Sequence, residues 1–429
     1  MRDALRGEQA AWWVLALVAA ANYGNFYVYD SIGPVAELLG RQRGFSDSEI
    51  GLLNAVYSLP NILLLPLGGL LVDRFGAAHV MTATGAACLA GALLTALSPG
   101  FEAMAAGRLL FGVGGETFNI ATLAAIVKYF TGGHLAFAVG ASIALGRAGA
   151  FSVDMSPTWF ADAYASGWQP PLLIAAAMAA VAFACAAGYA WLDRRRGGEL
   201  GAVPPETTGF SLREPPRFPA AYWHLLALCV LWYATIFAFR STFAIKYFQH
   251  AHGLSLAAAG AINAWVFLAA LVATPAFGWL CDRVGRHAAL LAAGALLLPL
   301  AIASMTVTAW PLWLGTVLIG VSFSLVPAVM WPYAARLVPA DRFGTAIGLM
   351  WAALNAGLAG ANMAAGWLND RFGAGAGNAA GYRPMMLFFF AAGALGFVFA
   401  VLLAVGDYSR ASRLRPSASS RRCSSPTGG

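Results

Sequence analysis

Two residues of opposite charge stand where charge is expensive. Glu116 closes the run Gly112-Val113-Gly114-Gly115-Glu116, and Arg147 precedes Ala148-Gly149. Both lie inside long apolar stretches. An ionisable group at the centre of a bilayer costs several kcal/mol and usually marks a pathway. Counted from residue 102, a helix has risen about 21 Å on reaching Glu116; counted from residue 134, it has risen about 20 Å at Arg147. The two runs are antiparallel and joined by a short connection, so an acid and a base can face one cavity at one level. A carboxylate there matches an ammonium group, and a guanidinium matches a carboxylate through two parallel hydrogen bonds. That pairing suits a zwitterion such as an amino acid or a peptide. The competing reading is an ion pair that locks the two helices together.

Other chemistry-bearing residues surround this pair. Asp30, in Tyr27-Val28-Tyr29-Asp30, either takes up an ammonium group or caps a helix. Arg108 lies on the same run as Glu116, with packing and coupling roles both open. Asp154 is seven positions after Arg147, hence on the same helix face, and is a second possible partner for it. Arg240 and Lys246 form an outer basic lining or reach to the interface, the latter favoured for Lys246. Tyr57, Trp232, Tyr233 and Trp331 are candidate ligand contacts near prolines or kinks, set against a plain packing role. Pro60, Pro275, Pro327 and Pro332 supply bends that shape a cavity.

The elements that position these residues follow from composition. Of 429 residues, 60% are hydrophobic and 10% charged, against about 45–50% and about 25% in soluble domains. The chain is an all-α polytopic membrane protein in its lipid bilayer. The composition excludes a soluble enzyme, a disulfide scaffold and a disordered chain. Twelve spans are expected at 11–37, 48–72, 78–98, 102–128, 134–160, 170–192, 220–250, 255–281, 288–307, 311–337, 342–368 and 383–406. They form an N-terminal half (1–192), a linker rich in Arg and Pro (193–219), a C-terminal half (220–406) and a disordered cytoplasmic tail (407–429). With both termini inside, eighteen Lys and Arg fall on the inner side and four on the outer, the bias of a cytoplasmic face. The heavy use of Arg, Ala and Gly points to a bacterium, hence to its inner membrane. The net charge of +7 is spread over loops and points to no nucleic acid. The five cysteines have no ligand spacing. His250 and His252 read as a wet loop pair, so no metal and no cofactor is expected.

A loop motif repeats. Gly69-Leu70-Leu71-Val72-Asp73-Arg74-Phe75-Gly76 follows the second span, and Gly278-Trp279-Leu280-Cys281-Asp282-Arg283-Val284-Gly285-Arg286 the eighth. A third copy, Gly366 to Gly373, follows the eleventh, and Asp162 stands at the matching place after the fifth. Four three-helix units in two six-helix halves are the nested repeat of major facilitator transporters, and the chain is identified by this motif as resembling that superfamily. The motif's glycine permits close helix packing. Its aspartate caps or pairs with a neighbouring helix end, so Gly69, Asp73, Arg74, Gly76, Gly278, Asp282, Arg283 and Arg286 are expected to bias the access states. The third copy is weaker, and a merely structural role is as plausible for it.

Five stretches narrow the resemblance: Tyr27 to Asp30, Tyr57 to Asn61, Gly107-Arg108-Leu109 through Glu116, Ala148-Gly149 after Arg147, and Leu325 through Trp331-Pro332. They resemble the lysosomal dipeptide uniporters of animals and their bacterial relatives. In that family a glutamate and an arginine 31 positions apart hold the two ends of a dipeptide, and Glu116 and Arg147 share this spacing. The resemblance implies uniport of dipeptides, notably those containing His, Lys or Arg. Arg240 departs from the animal members and implies a weaker taste for cationic side chains. The lysosomal location and its glycoprotein partner do not carry over. The expectation is a monomeric secondary transporter, without enzymatic activity, moving dipeptides by alternating access. A drug or organic-anion carrier of the same fold is the alternative, kept open by Arg108, Arg147 and Arg240.

Overall fold

The computed structural model describes residues 2–130, 132–195, 218–284, 287–307, 310–339 and 342–413. Most of the expected linker, Arg286 and the tail from 414 onward lie outside these residues. Helices account for nearly all of the described chain, because the bilayer interior offers no water to backbone N–H and C=O groups and a helix satisfies them within itself.

The N-terminal half is α1 (Arg2–Tyr29), α2 (Ile32–Arg43), α3 (Asp47–Phe75), α4 (Ala77–Leu97), α5 (Phe101–Tyr129), α6 (Gly133–Trp159), α7 (Ala161–Ser166) and α8 (Gln169–Arg195). The C-terminal half is α9 (Ala220–Ala238), a π-helical turn (Phe239–Phe243), α10 (Ala244–His252), α11 (Leu256–Val284), α12 (His287–Thr306), α13 (Leu312–Leu337), α14 (Phe343–Arg371) and α15 (Arg383–Arg413). Among the described residues eleven helical segments are long and apolar enough to cross a membrane. α1, at 28 residues, is not among these eleven and overlaps the first expected span. Asn22, Tyr23, Asn25 and Tyr27 lower its hydropathy.

Two expected spans differ from the continuous rods that their hydropathy suggests. The first breaks after Tyr29 at an Asp30-Ser31 turn and resumes as α2. The seventh widens into the π turn around Arg240 before α10. π turns occur mostly as local bulges, frequently at functional sites. Local sequence sets the other ends. Gly44, at φ 73°, closes α2. Ser46 and Glu49 form a reciprocal capping box at the start of α3, which satisfies two otherwise orphaned N–H groups.

The halves meet along α3 against α14 and α6 against α11. Glycine makes both contacts possible. A Cβ at Gly366 would run into the Asp47 carbonyl, and one at Gly260 into that of Asp154. Close backbone approach through small residues is how helices associate where lipid removes the hydrophobic drive. α1 begins and α15 ends on one face of the bundle, here the termini face. Every hydrogen bond and ion pair found between the halves among the described residues lies near mid-depth or towards the opposite face.

Candidate functional site

Glu116 and Arg147 both lie partly buried at mid-depth, and each has a neutral neighbourhood. The Tyr57 hydroxyl donates to Glu116 Oε1 at 2.9 Å, and Asn119 Nδ2 approaches Oε2 at 3.4 Å. Asn119 in turn accepts from Asn25 at 3.1 Å. Arg147 donates to the Ala270 carbonyl at 3.0 Å and to the Thr274 hydroxyl, both on α11 of the other half. Its guanidinium also lies 5.3 Å from the centre of the Phe323 ring. Arg147 therefore pairs with neither Glu116 nor Asp154, contrary to the sequence expectation. Helical spacing says which face a side chain takes, whereas α11 supplies acceptors that no spacing within α6 reveals.

Asp154 has another partner. Arg240 lies between Asp30 and Asp154 and forms ion pairs with both, all three side chains being 1–2% exposed. Asn263 donates to Asp154 at 3.0 Å and to the Arg240 carbonyl at 3.1 Å. Asp30 and Arg240, expected as ligand contacts, are thus occupied by each other in this structure. The π turn brings the arginine of one half between two aspartates of the other. Buried charges need this pairing, since isolated ones pay a large desolvation cost.

Arg108 is also consumed internally. It donates to the Val28 carbonyl at 3.1 Å, the Tyr29 carbonyl at 3.0 Å and Asn54 Oδ1 at 2.7 Å. Arg108 thus adds donors to the carbonyls that end α1, where Val28 already accepts from Ser31 of the following turn. Of the packing and coupling roles left open for Arg108, these contacts are those of packing.

Lys246 does not snorkel. It is buried and meets Asp47 at 2.5 Å and Glu37 at 3.9 Å. His250 is not a wet loop residue either: Nε2 meets Glu37 at 2.8 Å and Nδ1 meets the Tyr382 hydroxyl at 2.7 Å. Together with Asp370 at the start of α3 and with Asn369 on Asp47 at 2.8 Å, these contacts tie the halves on the face away from the termini. Asn54, Thr242 and Asn362 continue the seam inward at 2.7 and 2.6 Å. Sequence reading missed Asp47, Glu37, Thr242, Asn263, Thr274 and Asn362. A polar residue within an apolar run was the available signal.

The repeated motif divides unevenly. Asp73 and Arg74 are exposed, and Arg74 rests over Phe75 at 5.4 Å. A Cβ at Gly69 would meet open space, so the close packing expected there is not seen. Gly76 turns the chain at φ 79°. Gly278 and Asp282 fall on α11, outside the residues whose surroundings are described, and Arg283 is exposed at its end. Among the described residues, the motif aspartate seen in contact with a helix end is that of the third copy, Asp370.

Among the aromatic candidates, Trp232 is 1% exposed and donates to Ser322 at 2.9 Å. It is core, not lining. Tyr57, Tyr233 and Trp331 belong to one train of rings. Tyr29 lies 4.7 Å from Tyr57 and 6.0 Å from Phe237, and Phe237 stacks on Tyr233 at 5.9 Å. Trp331 donates to the Tyr233 hydroxyl at 3.3 Å and stacks on Trp351 at 5.0 Å.

Comparison with known proteins agrees with this architecture. The Major Facilitator Superfamily model matches residues 15–244 and 233–426. The chain belongs to the major facilitator superfamily and is a multi-pass membrane transporter, not an enzyme. It is 29% identical over 422 residues to the lysosomal dipeptide transporter MFSD1 of Danio rerio, covering 95% of this chain and 89% of that protein. It is 28% identical over 428 residues to the Homo sapiens counterpart, with the same coverage. A probable nitrate/nitrite transporter, NarK2 of Mycobacterium tuberculosis, is 26% identical over 358 residues, 81% of this chain and 86% of that one. Among solved structures, the nucleoside transporter NupG superposes with a TM-score of 0.69 at 12% identity over 91% of this chain and 99% of that one. The D-xylose-proton symporter gives 0.68 at 14% identity over 91% and 97%. These two share the fold.

Proposed function

We propose that this chain carries dipeptides across the membrane by alternating access, as a uniporter, with the peptide's ammonium at Glu116 and its carboxylate at Arg147. The observation that carries the reading is that neither residue has a counter-ion among the described residues. Glu116 meets only neutral donors, and Arg147 only neutral acceptors and a ring face. A partly buried charge without a counter-ion is an incomplete pair, and a zwitterion completes both at once. The organic-anion alternative loses two of its three arginines, because Arg108 and Arg240 are already bound by groups of the protein. The resemblance to MFSD1 supports the peptide assignment.

The contacts away from the termini face fit a state closed on that side. Glu116 and Arg147 are then reached from the termini face. The excess of Lys and Arg in the termini-side loops supports a cytoplasmic termini face, in our reading that of a bacterial inner membrane, and a monomer suffices because both ends of the site lie in one chain. A thermal-shift titration of purified protein against dipeptides, single amino acids, nitrate and organic anions tests the assignment, since a ligand of the folded state raises the melting temperature. Stabilisation by dipeptides alone is expected. Stabilisation by anions alone would replace this reading with the anion carrier. Uptake into proteoliposomes at equal rates with and without an imposed pH gradient is the result expected of a uniporter.

A further inference from the structure

A substrate held at Glu116 and Arg147 leaves its side chains to be placed, and the structure has a surface for one of them. From Arg147 the path runs over Phe323, whose ring centre is 5.7 Å from that of Phe237. Phe237 stacks on Tyr233, and Tyr233 receives the Trp331 N–H. The path ends at the Trp331–Trp351 stack, 5.0 Å between centres and 18° between planes. Trp331 and Trp351 both keep part of their surface exposed.

Their place along the helices fixes the side of the site on which they lie. α13 ends six residues after Trp331 and α14 begins eight residues before Trp351. The pair therefore lies about 9–12 Å from the termini-face ends of those helices, whereas Arg147 lies about 21 Å along α6. The two indoles are thus displaced from Arg147 towards the side on which the halves share no hydrogen bond or ion pair among the described residues. On the other branch, Tyr57 donates to Glu116 and Tyr29 packs edge-on against Tyr57. The ring path reaches Arg147 from Phe237 through Phe323 alone, and Glu116 only through Tyr29 and Tyr57, so a peptide that gives its carboxylate to Arg147 has the side chain of its C-terminal residue nearer the indole pair.

We propose that Trp331 and Trp351 form a subsite for the C-terminal side chain of the substrate, that it favours flat aromatic side chains, and that Trp351 is its specificity-determining residue. This rests on the dipeptide reading above. The chemistry follows from the walls. Rings prefer offset-stacked or edge-to-face neighbours, and an indole hydrogen-bonded through its N–H, as Trp331 is, holds its plane for such a partner. A cationic side chain would also find ring faces here, but no carboxylate is paired among these rings to neutralise it. Trp351 stands on α14, the helix that packs on α3 of the other half, so the subsite is built at the seam that alternating access must rearrange.

The test measures binding of Ala-Ala, Ala-Phe, Phe-Ala and Ala-Arg to the purified full-length protein, wild type and Trp351→Leu, by titration calorimetry. Ala-Phe is expected to bind wild type about tenfold more tightly than Ala-Ala, about 1.4 kcal/mol, with Phe-Ala gaining less. Trp351→Leu should weaken Ala-Phe about tenfold and Ala-Ala by no more than about twofold, and Trp351→Phe should keep part of the preference. Binding of Ala-Ala by the variants shows that they fold. An unchanged Ala-Phe to Ala-Ala ratio in Trp351→Leu overturns the subsite and leaves the dipeptide reading standing. A preference for Phe-Ala or for Ala-Arg overturns the assignment of end or of chemistry. If no dipeptide binds wild type, the dipeptide reading fails and the subsite falls with it.

Discussion

The Asp370 carboxylate straddles the start of α3, accepting from the backbone N–H of Asp47 at 2.9 Å and of Ser48 at 2.8 Å. Asp370 belongs to the C-terminal half and α3 to the N-terminal half. The first turn of a helix has unpaired N–H groups and a partial positive charge, so a carboxylate there binds by hydrogen bonding and by the dipole together. Asp370→Asn keeps the shape and removes the charge. The loss is expected to be about 1 kcal/mol, or roughly a fivefold shift towards opening of the face away from the termini. Distance distributions between spin labels placed on α2 and α10 would show it. Distributions that do not move would mean that Asp370 caps α3 without influencing access.

Glu116→Gln is expected to abolish the advantage of a free amino terminus. Wild type should bind a free dipeptide at least about 30-fold more tightly than its N-acetyl derivative, the scale of losing one partner of a buried charge pair. In the variant the two should bind alike. N-acetyl peptides that stabilise wild type as well as free peptides do would assign Glu116 another task.

Arg147 is tested through the other end of the ligand. Arg147→Ala and replacement of the peptide carboxylate by an amide should each cost about 2–5 kcal/mol, with little further loss when combined. Arg147→Lys should recover only part, because an ammonium lacks the planar fork of the guanidinium. Additive losses would make Arg147 a structural tie to α11, consistent with its bonds to Ala270 and Thr274 and inconsistent with carboxylate binding.

The Asp30–Arg240–Asp154 cluster predicts a stability effect. Arg240→Met leaves two carboxylates buried without their cation and should cost about 3–5 kcal/mol, seen as a large fall in melting temperature in detergent. Adding Asp30→Asn and Asp154→Asn removes the stranded charges and should restore much of it. If Arg240→Met alone melts with wild type, the ion pairs contribute nothing net.

The all-helical membrane architecture and the places of its long apolar helices were legible in the sequence, because hydrophobic length is a local quantity. Partnerships were not. Asp30 and Arg240 are 210 positions apart, and their meeting depends on how one half docks on the other. The widened turn at Phe239–Phe243 left no trace in hydropathy, since the segment is buried all round and an average over a window does not register one extra residue in a turn. The capping box at Ser46 and Glu49 was there to be read, and with it the start of α3 that Asp370 occupies. Asn54, Asn263 and Asn362 stood within apolar runs as signs of polar contact, although nothing local told which helix would answer them. Trp232 shows the converse: an aromatic residue near a lined cavity is equally suited to the core behind it.

The bonds from Arg147 to the Ala270 carbonyl and the Thr274 hydroxyl bear on net flux as against exchange. A carrier that delivers cargo down a gradient must return empty, and an arginine left bare after release would make that return the slow step. If Arg147 binds the carboxylate as proposed, neutral oxygens from the opposite half would stand in for it after release without holding the guanidinium as tightly as an acid would. In the proposed cycle the unloaded protein therefore keeps a low barrier to reorientation. Replacing Thr274 with aspartate would turn this loose surrogate into a permanent one, trapping the empty carrier and leaving it unable to accept cargo.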